Sequence, residues 1–436
     1  MFMFFKIFKI LIIILFLNIN PVYSKITNNN DFKTKNLSGY FSALVSLENQ
    51  ENEDSLKFFS SSKFLIHFHE PYLKNYINSL VQEGKIKKAA HELRFVSNKN
   101  NLAFFESYLL LFLDAIKKED YRKSTEYLKK LNNLKKNGSF EKVIIQSLED
   151  FLYVFENKKK APARKNLGDL GFINLVFQSC YLGENKLENY FENLLNKTQL
   201  DYTRYIFFYI NYLISEGEYK KAKDITDSAD IINSNLLILQ TKNWIDKGQF
   251  RKISSIFSCK NKTDILSEFF YLIASLYSSE EDYKKSNFYL KISNFLNPKF
   301  RFNLVLIAEN FYINNKYSQS RIAIKGFNEN DGIYYWYKIK KNSQIILNES
   351  GNEKSLNYLK KNFKKIKNPS ERIFFDMANL LKRFKKYNEA IKYYNIILPK
   401  LKNDSLIYAE VLYRRGSGFE RLGDYVKSDN DLLKSL

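Results

Sequence analysis

Between Phe374 and Leu381 the apolar residues fall at 374, 375, 377, 378, 380 and 381. That spacing keeps one side of a helix apolar and does not fit the alternation of a half-buried strand. One short turn pattern recurs along the chain. It is a glycine or polar residue, then an aromatic or aliphatic residue, and three residues later a small one. Clear copies end at Ala89 (EGKIKKA), Ser124 (KEDYRKS), Ala222 (EGEYKKA), Ser286 (EEDYKKS), Ser320 (NNKYSQS), Ala390 (FKKYNEA) and Ser428 (LGDYVKS). Weaker copies end at Ser55, Asn189, Ile253 and Ser355.

The spacing of these copies decides the architecture. Steps between neighbours run from 31 to 38 residues, apart from one of 65 between Ser124 and Asn189. The long step is close to two periods. It predicts a degenerate unit with its turn between Asn157 and Ala161 and its first helix over Phe140–Phe155. A regular period of about 34 residues over most of the chain predicts stacked helix hairpins, each too small to bury its apolar face alone. The small residue lets the two helices of a hairpin approach closely, and the aromatic residue before it seals the turn. Asn189 and Ile253 replace the small residue, so packing is expected to be looser there.

A period of this length with this turn resembles the tetratricopeptide repeat family. The residues that carry the resemblance are clearest in three units. In Ser267 to Pro298 they are Phe270, Ala274, Tyr277, Tyr283, Ser286, Leu290 and Pro298. In Glu371 to Pro399 they are Phe374, Ala378, Leu381, Tyr387, Ala390 and Tyr394. In Ala409 to Leu436 they are Leu412, Gly416, Phe419, Tyr425, Ser428 and Leu432. The whole chain, with its leader, resembles a signal-bearing, many-repeat type found in alphaproteobacteria. The resemblance implies an all-α, right-handed superhelical solenoid of about 12 hairpins. It also implies a non-enzymatic scaffold that binds a protein or peptide in a concave groove lined by the first helix of each unit. Carried onto this chain, the groove residues are Tyr271, Tyr337, Lys340, Gln344, Arg372, Phe375, Asn379, Lys382 and Tyr413. Arg372 and Lys382 would pair with carboxylates. Tyr271, Phe375 and Tyr413 would supply flat apolar anchors. The competing reading of each is ordinary packing between adjacent first helices.

Composition narrows the function classes. Only 14 glycines and 6 prolines occur in 436 residues, too few for barrels, sandwiches or propellers. No glycine-rich nucleotide loop is present. Three histidines and two cysteines leave little for metal or thiol chemistry. His67 and His69 would point about 200° apart on a helix and could not chelate one ion from one face. Gly416-Ser417-Gly418 lies inside a predicted helix, where close packing explains Gly416 better than a nucleophile turn does. No catalytic residue, metal or cofactor is expected. Cys180 and Cys259 make no disulfide framework. They read as two buried small hydrophobes, with a single bridge or a redox role as the alternatives.

The N-terminus has the three-part form of a secretory signal. Lys6 and Lys9 are its basic region, Ile10–Leu17 its apolar run, and Val22-Tyr23-Ser24 its cleavage site after Pro21. Cleavage is expected after Ser24, which places the protein in the periplasm or the medium. An uncleaved inner-membrane anchor is the alternative. No cysteine follows the run, which excludes bacterial lipid anchoring. The expected organisation is then a signal peptide (1–24), a flexible lead-in (25–36), N-terminal repeats (37–156), a basic irregular stretch or hinge (157–171) and C-terminal repeats (172–436). Those last repeats are expected to lack a polar cap, leaving Leu432, Leu433 and Leu436 exposed. The chain is then either part of a longer protein or covered at that edge by a partner or another copy. The net charge of +22 would bias an exported protein toward acidic protein surfaces rather than nucleic acid. No membrane span is expected in the mature chain, and self-association is compatible with the open edge.

Overall fold

The computed structural model describes residues 34–436 except 68, 98–101, 103, 135–139, 163–166, 185–186, 196–202 and 231–232. The expected signal peptide, its cleavage site and residues 25–33 of the lead-in lie outside the described residues. The described residues are helical throughout, with no strand among them. In chain order the helices are α1 (Thr34–Glu48), α2 (Asn52–Ser61), α3 (Glu70–Gln82), α4 (Ile86–Ser97), α5 (Phe105–Lys117), α6 (Tyr121–Leu134), α7 (Phe140–Asn157), α8 (Gly168–Leu182) and α9 (Leu187–Leu195). They continue as α10 (Thr203–Ser215), α11 (Tyr219–Ser228), α12 (Leu236–Asp246), α13 (Phe250–Ile256), α14 (Lys262–Ser279), α15 (Tyr283–Leu296), α16 (Phe302–Ile313) and α17 (Tyr317–Ala323). The last are α18 (Ile333–Ser350), α19 (Asn352–Phe363), α20 (Glu371–Arg383), α21 (Tyr387–Ile397), α22 (Leu406–Glu420) and α23 (Tyr425–Lys434). The architecture is the all-α hairpin-repeat solenoid that the period predicts. None of the described helices is long and apolar enough to cross a membrane. The described residues fall into two compact units, divided between Tyr76 and Ile77.

Two features of the repeat build each hairpin. The first is a left-handed residue at the end of the first helix, which lets the chain reverse. Gln50, Gly84, Glu119, Gly217, Gly248, Glu281, Asn315, Lys385 and Gly423 take φ between 57° and 85°. Each stands five residues before the position where the small residue recurs. The second is the small residue itself, which meets a position on the first helix 12 residues earlier. The Ser55 hydroxyl donates to the Ala43 carbonyl at 3.1 Å, Ser320 to Ala308 at 2.9 Å and Ser355 to Ser343 at 2.6 Å. Ala378 and Ala390 stand at the equivalent positions, and both are fully buried. At Gly416 the approach is tightest, because an added Cβ would come within 3.1 Å of Asp431 and Leu432, which would have to give by a few tenths of an ångström. The two departures in this position behave differently. Asn189 is exposed, whereas Ile253 is fully buried. The degenerate unit has its first helix where it was expected, as α7.

In the first unit, α1 and α2 form a hairpin sealed by aromatic rings. Tyr40 lies 6.2 Å from Phe59 and 5.7 Å from Tyr72. Its hydroxyl meets His69 Nε2 at 3.1 Å.

In the second unit the hairpins stack in order, and the array also folds back on itself. Helix α14 touches α5 and α8, far from it in sequence, and α12 touches α18. Lys117 Nζ donates to the Phe295 carbonyl at 2.9 Å, and Gln82 Nε2 to the Lys284 carbonyl at 3.1 Å. Lys262 pairs with Glu119 at 2.7 Å. Phe140 meets Tyr277, and Phe151 meets Phe269, both edge-on. A disulfide joins Cys180, at the end of α8, to Cys259, just before α14. The sequence favoured two unpaired, buried small hydrophobes, with a bridge as the alternative; the structure corrects this, since the fold-back brings the two cysteines together.

Candidate functional site

In the C-terminal half the first helices are α14, α16, α18, α20 and α22. They stand side by side, α14 against α16 and α20 against α22. The nine residues assigned to a groove by the resemblance all lie on these helices. Their surroundings divide them into three groups.

Tyr271 is buried beneath Arg204 of α10. The guanidinium carbon lies 3.7 Å from its ring centroid, with the rings of Phe302 at 4.8 Å and Phe300 at 5.1 Å. Arg204 grips Glu268 of α14 with two hydrogen bonds, 2.8 Å and 2.6 Å long. Burial pushes the Glu268 carboxyl upward, and the arginine beside it opposes the shift. Burial likewise raises the Tyr271 phenol. Tyr337 is buried too, its hydroxyl donating to Glu309 at 2.6 Å. Burial first, then the Glu309 charge, hold that phenol well above its ordinary value.

Lys340 and Arg372 meet at one carboxylate. Asp376 Oδ2 accepts from Lys340 Nζ and from Trp336 Nε1, each at 2.8 Å, and Oδ1 accepts from Arg372 Nε at 3.2 Å. The other end of Arg372 donates to the Ser234 carbonyl at 3.2 Å, just before α12. Leu236 and Leu239 of α12 join the same apolar core as Tyr334, Tyr337 and Phe375. The chain's own α10–α12 segment is thus seated on α14, α18 and α20, over Tyr271 and Arg372.

The remaining residues are farther along α18, α20 and α22. Phe375 is buried between Tyr394 and the Arg414 guanidinium, 5.4 Å from its ring. The Asn379 amide oxygen accepts from the Tyr394 hydroxyl at 2.5 Å. Lys382 Nζ donates to the Arg414 carbonyl at 2.8 Å and is half-buried. Burial, then Arg414 and Arg421, lower its pKa. Gln344 is half-exposed. Tyr413 is 56% exposed.

No protein-family model matches the chain. No curated protein matches it either. Among solved structures, a chain of the APC/C hetero-tetramer Cut9-Hcn1 is 13% identical, with 92% of this chain and 86% of that chain covered and a TM-score of 0.29. Yeast Tom70 is 14% identical, with 92% and 91% covered and a TM-score of 0.32. A human IFIT1 dimer with PPP-AAAA is 13% identical, with 90% and 88% covered and a TM-score of 0.25. At TM-scores this low the likeness carries no functional statement about this chain.

The residues that sequence reading missed are the internal counterions. Asp376 stands four residues after Arg372 on one helix, a spacing that favours pairing. It also stands 36 residues after Lys340, about one period, so both contacts left a trace in the sequence. Glu309 and Tyr337, 28 residues apart, belong to neighbouring units. Arg204 and Glu268, 64 residues apart, left no such trace. Chemically, the Arg372 and Lys340 charges are answered within the fold. Lys382, hydrogen-bonded to a carbonyl with Glu410 and Glu420 acting at longer range, and the exposed Tyr413 are less engaged within the fold.

Proposed function

We propose that this protein is a non-enzymatic, tetratricopeptide-type scaffold of the cell envelope that binds a protein or peptide partner. The face is formed by Gln344, Asn379, Lys382 and Tyr413 on successive first helices. The observation that carries this reading is the pair of residues on neighbouring first helices, where Tyr413 is exposed and Lys382 makes no salt bridge among the described residues, Glu410 and Glu420 acting on it only at longer range. An aromatic anchor with a cation that holds no carboxylate in a salt bridge suits an acidic partner segment. The Cys180–Cys259 bridge favours an exported protein, since disulfides persist in oxidising compartments. The test is a crosslinked pull-down from envelope extract with residues 25–436 as bait. One dominant partner is expected, lost on Lys382→Glu and on Tyr413→Ala while the melting curve is kept. Unchanged capture by both variants would refute the placement.

A second reading is favoured by a different observation. On α22 and α23, Leu406, Val426 and Leu433 are 88%, 83% and 71% exposed. An apolar edge of this kind fits a structural subunit that stacks. Light scattering across a concentration series separates the readings, since a monomer at all concentrations counts against stacking.

A further inference from the structure

A cavity of about 290 Å³ opens where α12 and α13 meet the turn before α16 and the start of α18. Its apolar lining includes Trp244, Phe300 and Tyr334, with Phe300 and Tyr334 buried. Its charged lining is Lys252, Lys299, Arg301 and Asp331. Arg301 already pairs with Asp331. Lys252 and Lys299 make no ion pair among the described residues. The other nearby carboxylate, Asp264, is turned to the Ser258 backbone N–H at 2.9 Å and feels Lys299 only as a more distant charge. The Tyr334 hydroxyl has no hydrogen-bond partner among the described residues. The site therefore combines flat apolar walls with a tyrosine hydroxyl and two exposed ammonium groups that make no ion pair among the described residues. Small-ligand sites take this form, mostly apolar with a few convergent polar groups.

We propose that this cavity binds a small aromatic anion, its ring against Trp244, Phe300 and Tyr334 and its carboxylate or phosphate between Lys252 and Lys299. The site uses none of the residues of the Lys382–Tyr413 face, so it stands or falls separately from the scaffold reading. An anion there is attracted by both ammonium groups and offers the Tyr334 hydroxyl an acceptor. The ring covers apolar walls that otherwise face water.

Trp244 makes the test direct, because the only other tryptophan, Trp336, is fully buried. The full chain is titrated with phenyl phosphate, with benzoate and, as the uncharged control, with benzyl alcohol. Trp fluorescence and calorimetry are both followed. A saturable response with Kd of about 1 mM or tighter is expected from at least one anion, and the tighter anion assigns the head group. Benzyl alcohol is expected to bind at least about tenfold more weakly, and Lys252→Gln/Lys299→Gln to weaken the anion about tenfold. Trp244→Phe is expected to abolish the fluorescence change and keep the heat. Both lysines are exposed, so the double variant is expected to keep the wild-type melting curve. No saturable response by either method, equal binding of benzyl alcohol, or undiminished binding in the double lysine variant would each overturn the proposal.

Discussion

Breaking the Cys180–Cys259 bridge gives the sharpest test of how the second unit is held. The bridge spans 79 residues of sequence. In the chain-entropy description a loop of that size removes about 15 cal/mol/K from the denatured chain, or about 4.5 kcal/mol at 25 °C. Its Cα–Cα distance of 5.8 Å lies inside the range of relaxed bridges, so the native backbone sits where the crosslink needs it. If residues 77–436 melt as one unit, their unfolding entropy is about 0.75 kcal/mol/K, and losing the bridge lowers Tm by roughly 6 °C. The assay is a thermal melt of wild type and of Cys180→Ala/Cys259→Ala, each with and without reductant. Wild type is expected to drop on reduction, and the double variant is expected to melt low and ignore the reductant. Both cysteines are buried, so a further loss of about 1 kcal/mol in the variant from the missing sulfurs is expected. A wild-type shift under 1 °C on reduction, or two titratable thiols per unreduced chain, would refute the reasoning.

Three further outcomes are expected. Glu268→Gln leaves the Arg204 guanidinium buried without its counter-charge and costs about 3–5 kcal/mol in denaturant unfolding, whereas Arg204→Met/Glu268→Leu recovers much of that loss. Gly416→Val forces a side chain against Asp431 and Leu432 and costs about 1–3 kcal/mol, read as faster hydrogen exchange confined to α22 and α23. Asp264 is pushed up from 3.8 to about 6 by burial. The folded state therefore binds the extra proton between those values, and stability falls as pH rises through that window. Asp264→Asn is expected to remove that part of the pH dependence in melts from pH 4 to 7, and an unchanged profile would count against it.

The hairpins were legible in the sequence because everything that makes them is local. The left-handed turn residue, the small residue five positions on and its partner 12 positions back all recur with the period. The fold-back of the second unit was not legible. Lys117 against Phe295 and Arg204 against Glu268 join residues 178 and 64 apart, and no periodic signal encodes such a pairing. The candidate face was approached from the sequence through the same periodicity. First-helix positions could be picked from the repeat, which brought out Lys340, Arg372, Lys382 and Tyr413. Whether a position faces solvent or the chain's own α10–α12 segment depends on that non-local docking. Tyr271 and Arg372 are accordingly engaged from within.

The fold-back also has a mechanical meaning. An open array unzips from its ends, hairpin by hairpin, each step needing little force. Here a pull applied at residue 77 meets the Gln82–Lys284, Lys117–Phe295 and Lys262–Glu119 contacts, which join segments 143 to 202 residues apart. A pull applied at residue 436 peels α23 and α22 first. The second unit is a buckled strap, stiff against load from one direction and compliant from the other.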